Sequence, residues 1–157
     1  MKCQIPIIPM LVATGCGSGF WPWGPGTAGA VFATLLWVVG TLFVSPLALT
    51  YITFATIIIF TVAGTWATSR LQPYWGDDPS RVVVDEMVGV WIPLMACRAD
   101  EWVYILASLL LFRFFDILKP LGIRLLDRRK GAFWVMADDI LAGIYSLIVI
   151  LLLKWAI

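Results

Sequence analysis

The chain has 157 residues, enough for about one domain, and only 13% of them are charged against about 25% in soluble proteins. Hydrophobic residues make up 61%, and no charged residue falls between Cys3 and Ser69, a run that a soluble surface cannot carry and a bilayer core requires. A net charge of +1 argues against nucleic-acid binding by bulk electrostatics, and the absence of histidine removes imidazole–zinc sites, phosphohistidine chemistry and Ser-His-Asp triads.

The N-terminal stretch has Lys2 and then an apolar run over residues 5–13, interrupted by Pro6 and Pro9. It reads as an interfacial or re-entrant segment rather than a cleaved signal. A glycine-rich stretch follows and leads into a predicted helix over residues 27–43. Ser45-Pro46 marks a turn, because proline cannot continue the hydrogen-bond ladder. A second helix is predicted over 47–69, then a polar loop over 70–81 that contains Pro73, Gly76 and Pro79.

A third helix is predicted over 82–97, with Asp85 and Glu86 near its start. Residues 98–101 form a short turn. A fourth helix over 102–118 carries Arg113 and Asp116 near its end. Residues 119–137 are a mixed basic and aromatic connection with room for a short amphipathic helix, and a fifth helix is predicted over 138–155. The expected fold is an all-α polytopic membrane bundle of about five membrane-associated helices. No linker or repeat divides it, so residues 1–157 read as a single integral membrane domain. The last three helices are short for free-standing spans, since a 30 Å core needs about 20 residues. Their charged ends must dip into the membrane or sit in a hydrated pocket. Cys3, Cys16 and Cys97 have neither metal-type spacing nor the pattern of a disulfide framework.

Helix alternation sorts the charges. If the basic connection after Lys119 is cytoplasmic, so are the N-terminus and the 70–81 loop. That side then receives Lys2, Arg70, Arg81, Lys119, Arg124, Arg128, Arg129 and Lys130, against Arg98 and Lys154 outside. The acids follow the same division. Asp77, Asp78, Asp85, Glu86, Asp116, Asp127, Asp138 and Asp139 fall at the cytoplasmic end, and only Asp100 and Glu101 outside. Charge that is costly in a bilayer is gathered at one depth on several helices, which reads as a site.

Four constellations could do chemistry there. Gly24-Pro25-Gly26-Thr27-Ala28-Gly29 opens the first helix, where unpaired N–H groups favour an anion, although the same residues could be simple helix-start punctuation. Asp85-Glu86 precedes Gly89, which lets another helix come close; the plainer reading is a solvated helix start. Arg113, Asp116 and Lys119 recur every three residues on one helix face, as a structural ion pair or as a phosphate and metal arrangement. Asp138-Asp139 precedes Ala142-Gly143, and one of the two acids could be an N-cap.

Together these ends offer carboxylate oxygens for one or two Mg²⁺ ions, the natural choice where hard oxygens are present and imidazole and paired thiolates are missing. A basic cluster and a glycine-rich helix start beside them suggest a phosphate ester, and hence metal-assisted phosphoryl chemistry.

Gly24-Pro25-Gly26-Thr27, Asp85-Glu86-Met87-Val88-Gly89, the run from Phe112 to Pro120 and the run from Asp138 to Gly143 resemble, in order and spacing, the phosphatidylglycerophosphatase A family. The resemblance covers nearly the whole chain. It implies a bacterial inner-membrane enzyme with a cytoplasmic active site that hydrolyses phosphatidylglycerol phosphate to phosphatidylglycerol and inorganic phosphate and requires Mg²⁺. The family's charged positions fall on Asp85, Glu86, Arg113, Asp116, Lys119, Asp127, Asp138 and Asp139. The expected catalytic carboxylates are Asp85, Glu86, Asp116, Asp138 and Asp139, with Glu86, Asp116, Asp138 and Asp139 as metal ligands. The expected phosphate contacts are Gly26, Thr27, Arg113, Lys119 and Arg128. Ala30 stands where the family's glycine-rich run carries serine, and Gly122 where its Lys-Pro run often has a second proline.

Two other classes compete. A lipid phosphotransferase would also use carboxylates and Mg²⁺, but its Asp-Gly-x₂-Ala-Arg pattern is not present. A small cation transporter or channel would need a continuous polar path, whereas the charges lie almost wholly at one end. The nucleophile, water or aspartate, is open.

Overall fold

The computed structural model describes residues 5–156, so Lys2 and Cys3 lie outside the described residues. These residues form seven α-helices and one 3₁₀ turn, with no strand: α1 Ile7–Ala13, the 3₁₀ turn Ser18–Phe20, α2 Pro25–Thr41, α3 Pro46–Trp75, α4 Val84–Leu94, α5 Trp102–Leu118, α6 Ile123–Asp127 and α7 Ala132–Ala156. The five long predicted helices all form. The N-terminal apolar run is itself helical, with Pro6 as its N-cap and Pro9 in its first turn, where a missing N–H leaves no broken bond. α1 packs against α3.

Helix boundaries depart from the sequence reading at three places. α3 does not stop at residue 69 but continues through Pro73 to Trp75. Pro73 falls in its last turn, and the helix closes with the Gly76 N–H donating to the Gln72 carbonyl at 3.0 Å. α7 begins six residues earlier than expected, immediately after Gly131, whose φ of +116° breaks the preceding chain. Asp138 and Asp139 therefore lie almost two turns inside α7, which removes the N-cap reading for them. α4 is shorter than predicted, 11 residues, with Pro93 near its end.

α4 is the centre of the molecule, and every one of its residues except Glu86 is buried. The helices around it turn apolar side chains outward as well as inward. Ile59 and Val62 on α3 are more than 60% exposed, as are Trp23 and Trp155. Two helices, α3 and α7, are long and apolar enough to cross a membrane. α2, α4 and α5 are shorter, at 17, 11 and 17 residues.

Two buried indoles tie helices together inside the bundle. The Trp37 indole donates to Thr53 Oγ1 at 3.1 Å and the Trp91 indole to the Ala33 carbonyl at 3.0 Å, tying α2 to α3 and α4. At the end of the bundle remote from the acids, Lys154 Nζ donates to the Ala96 carbonyl at 2.6 Å and pairs with Glu101.

Candidate active site

Two glycines set the spacing of the site. A Cβ on Gly89 would meet the Phe112 ring and sit 2.9 Å from the Asp139 carbonyl, and one on Gly143 would collide with the Gly89 carbonyl. α4 and α7 thus pack backbone to backbone, as only glycine allows. Asp85 stands one turn before Gly89, and Asp139 one turn before Gly143, so the contact that joins the helices also joins their acids.

Asp85, Glu86 and Asp139 each present a carboxylate oxygen within 4.8 Å of the other two. Asp85 and Asp139 are buried. Asp85 Oδ1 and Glu86 Oε2 are buried atoms with no hydrogen-bond partner among the described residues. Leaving such oxygens unsatisfied is costly, and a bound cation would repair it. A six-coordinate magnesium ion, with ligands at about 2.1 Å, places opposite ligands about 4 Å apart, a span comparable with the separation of these oxygens. The donor set is all oxygen. The residues present therefore fit a hard divalent cation.

The other predicted acids are already engaged. Asp116 pairs with Arg113, whose Nη1 also lies 4.0 Å from Glu86 Oε1. Asp116 nonetheless lies near Asp139. Asp138 accepts from Lys119 Nζ at 2.6 Å, and the same ammonium pairs with Asp127 at the end of α6. Asp138 Oδ1 keeps a buried, unpartnered lone pair. The metal-sized cluster among the described residues is Asp85, Glu86 and Asp139, two of them expected ligands, while Asp116 and Asp138, also expected as ligands, stand paired with Arg113 and Lys119.

Lys119 is placed by backbone conformation. It caps α5 in the left-handed region at φ +46°, its N–H donating to the Phe115 carbonyl at 2.8 Å. Burial works against its charged form, but the bonds to Asp127 and Asp138 and the neighbouring carboxylates outweigh it and hold its pKa above the ordinary lysine range. Its ammonium thus contacts two protein carboxylates, Asp127 and Asp138, at the wall of a cavity.

All these groups line one cavity of about 500 Å³. Gly24, Pro25 and Gly26 form part of its wall, and a Cβ on Gly26 would overlap Glu86 Oε1. The start of α2 is thus packed directly on the acids. Arg128, Arg129, Lys130 and Trp134 also line it. Arg129 stacks over Trp134 at 4.3 Å and Lys130 lies 3.2 Å from Asp77, while the Arg128 side chain has no ion-pair partner among the described residues. Thr27 is the exception among the predicted contacts: it is exposed and lines a separate apolar groove.

The lining contains eight carboxylates and five cationic side chains. That excess of negative charge would repel a phosphate ester unless a bound cation offset it. The 70–81 loop contributes two of the acids, Asp77 and Asp78, which the sequence reading left as loop residues. Burial raises the Asp78 carboxyl above its ordinary value, the Lys119 charge opposes this, and Asp127 and Asp116 add to it. Its only signal in sequence was a pair of acids bracketed by Gly76 and Pro79.

The sequence pattern of the family described as Phosphatidylglycerophosphatase A matches residues 11–154. The chain belongs to that family. It is similar to phosphatidylglycerophosphatase A of Haemophilus influenzae, 38% identical over 92% of this chain and 88% of the relative, and to that of Escherichia coli, 33% identical over 87% and 77%. A Bacteroides thetaiotaomicron protein named "Putative phosphatidylinositol-3-phosphatase" is 51% identical over 96% of both chains. No solved structure matches significantly. Membership of the phosphatidylglycerophosphatase A family makes the chain a phosphatase, a phosphoric monoester hydrolase. The cavity is where residues of the four sequence constellations meet.

Proposed function

We propose that the protein is a Mg²⁺-dependent phosphatase of the bacterial inner membrane that hydrolyses phosphatidylglycerol phosphate to phosphatidylglycerol and inorganic phosphate. The observation that carries this reading is the close set of Asp85, Glu86 and Asp139, with two unpartnered oxygens, in a cavity that also holds Arg128. The named phosphatidylglycerophosphatase relatives supply the substrate.

Asp85, Glu86 and Asp139 would hold the metal, which when bound neutralises phosphate charge and steadies the leaving oxygen. The chain's own groups do the rest. Arg128 and the N–H groups at the start of α2 bind the phosphate oxygens. Arg113 holds Asp116 and lies beside Glu86, keeping the carboxylates in place. Lys119 orients Asp138 so that its free Oδ1 accepts a proton from the attacking water. The water oxygen bonds to phosphorus, the bond from phosphorus to the glycerol oxygen breaks, and that oxygen takes the proton back from Asp138 and leaves as the hydroxyl of phosphatidylglycerol, with the other water proton remaining on the phosphate.

The membrane setting is part of the proposal. α3 and α7 span, and the shorter helices are carried between them with the acids at the cytoplasmic interface, where the basic side chains of the 119–131 connection also lie. Apolar side chains exposed around the bundle support this.

A second reading replaces the substrate with phosphatidylinositol 3-phosphate, favoured by the name of the 51% identical relative. Both substrates are lipids with a terminal phosphomonoester. Purified protein in mixed micelles should release phosphate from phosphatidylglycerol phosphate, stop on addition of EDTA and recover with Mg²⁺. Release from phosphatidylinositol 3-phosphate alone would decide for the second reading. Release from neither lipid would overturn both.

A further inference from the structure

The acidic cavity adjoins a second one at Gly24. An apolar groove of about 600 Å³ lies on the far side of that residue, which lines both. Its φ of +128° is one that a side chain would strain, so Gly24 itself places no side chain between the two spaces. One wall carries Phe20, Trp21 and Trp23, and the other is a stripe of α2 containing Ala28, Val31 and Leu35. That spacing follows one helix face for about 10 Å, leading from the rim of the acidic cavity toward the middle of the bundle.

We propose that this groove holds an acyl chain of the lipid whose phosphate occupies the acidic cavity. The inference rests on the lipid-phosphatase reading above and extends it to the part of the substrate that does not react. The polar cavity and the apolar groove meet end to end, the arrangement of polar and apolar parts in a single phospholipid. The wall is also built in advance. Arg81 sits 5.8 Å over the Phe20 ring and 6.0 Å from that of Trp75, and Trp21 and Trp23 meet edge to face at 6.4 Å. The Thr27 side chain stands beside Gly24 and lines the groove. Binding energy from such a non-reacting tail positions the reacting phosphate.

Filling the groove tests this. Ala28→Phe puts a ring where the chain would lie, and Ile59→Phe on the exposed face of α3 places the same ring elsewhere. A phosphatidylglycerol phosphate with a diazirine near the end of one chain, in phosphatidylcholine vesicles, should label residues 20–35 of the unaltered protein. Labelling there should drop at least about fivefold in Ala28→Phe and hold in Ile59→Phe. The ratio of kcat/KM for dioleoyl over dihexanoyl substrate should fall about tenfold in Ala28→Phe, what unburying about two methylenes is worth. Val31→Ala, by reopening space, should restore part of both losses. Labelling spread over α3 and unchanged by Ala28→Phe overturns the groove, even for an active enzyme. Labelling confined to the groove without phosphate release from the unaltered protein supports the groove and counts only against the substrate assignment.

Discussion

A Cβ on Gly143 would lie 2.4 Å from the backbone carbonyl oxygen of Gly89, and one on Gly89 would run into the Phe112 ring, so neither position can carry a side chain. The contact fixes the register of α4 against α7 and brings Asp85 and Asp139 together one turn away. Gly143→Ala should push the helices apart, cost about 1–3 kcal/mol as overpacking does, and lower activity more than stability. Unfolding in mixed micelles and phosphate release, measured on the same sample, check this. An active Gly143→Ala protein would mean that the acid cluster does not depend on the contact.

Glu86→Gln and Asp139→Asn keep shape and remove one charge. Each should lower phosphate release by about 100-fold or more and raise the Mg²⁺ concentration needed for half-maximal activity, while the protein still folds. Calorimetric titration of Mg²⁺ gives an independent reading. Near-normal turnover at saturating Mg²⁺ would make the cluster structural.

Lys119→Met should behave differently from the loss of a phosphate-binding cation. The Lys119 ammonium is held by Asp127 and Asp138, so its removal frees Asp138 to turn. We expect kcat to fall about 10–100-fold with a smaller change in KM, and Lys119→Arg to recover part of it. A change confined to KM would return Lys119 to the role of phosphate ligand.

The far end of the bundle offers a pH test. Burial opposes ionisation of Glu101, but the bonds from Lys154 and the Arg98 N–H outweigh it and hold the carboxyl below its ordinary 4.5. A lowered pKa means that the pair stabilises the fold above pH 4.5 and that this is lost as pH falls through the folded value. Glu101→Gln should therefore cost about 0.5–1 kcal/mol near pH 7 and nothing in more acidic solution, read from unfolding curves at both pH values.

Single cysteines at Asp77 and Lys130, introduced after replacing Cys3, Cys16 and Cys97, should react with an impermeant maleimide only from the cytoplasmic side. A cysteine at Asp100 should react only from outside. Asp77 and Lys130 on opposite faces would break the topology, although their side chains lie 3.2 Å apart.

The sequence by itself determined the helical class, the five long helices and the end at which charge collects, because each depends on local composition and on one-dimensional alternation. An uncharged run from Cys3 to Ser69 and acids at helix ends are legible without knowing what touches what. It misplaced the start of α7 and the end of α3, since Gly131 and Pro73 carry signals that only the packed neighbours decide. Which carboxylate faces which partner was also beyond it. Adjacent Asp138 and Asp139 look equivalent in sequence, but they point about 100° apart on the helix, one toward Lys119 and the other toward Asp85 and Glu86. Thr27 and Gly26 are neighbours that part in the same way, into the apolar groove and the acidic cavity. Tertiary structure decided these roles because helix rotation and the Gly89–Gly143 contact, not chain spacing, set the direction of each side chain.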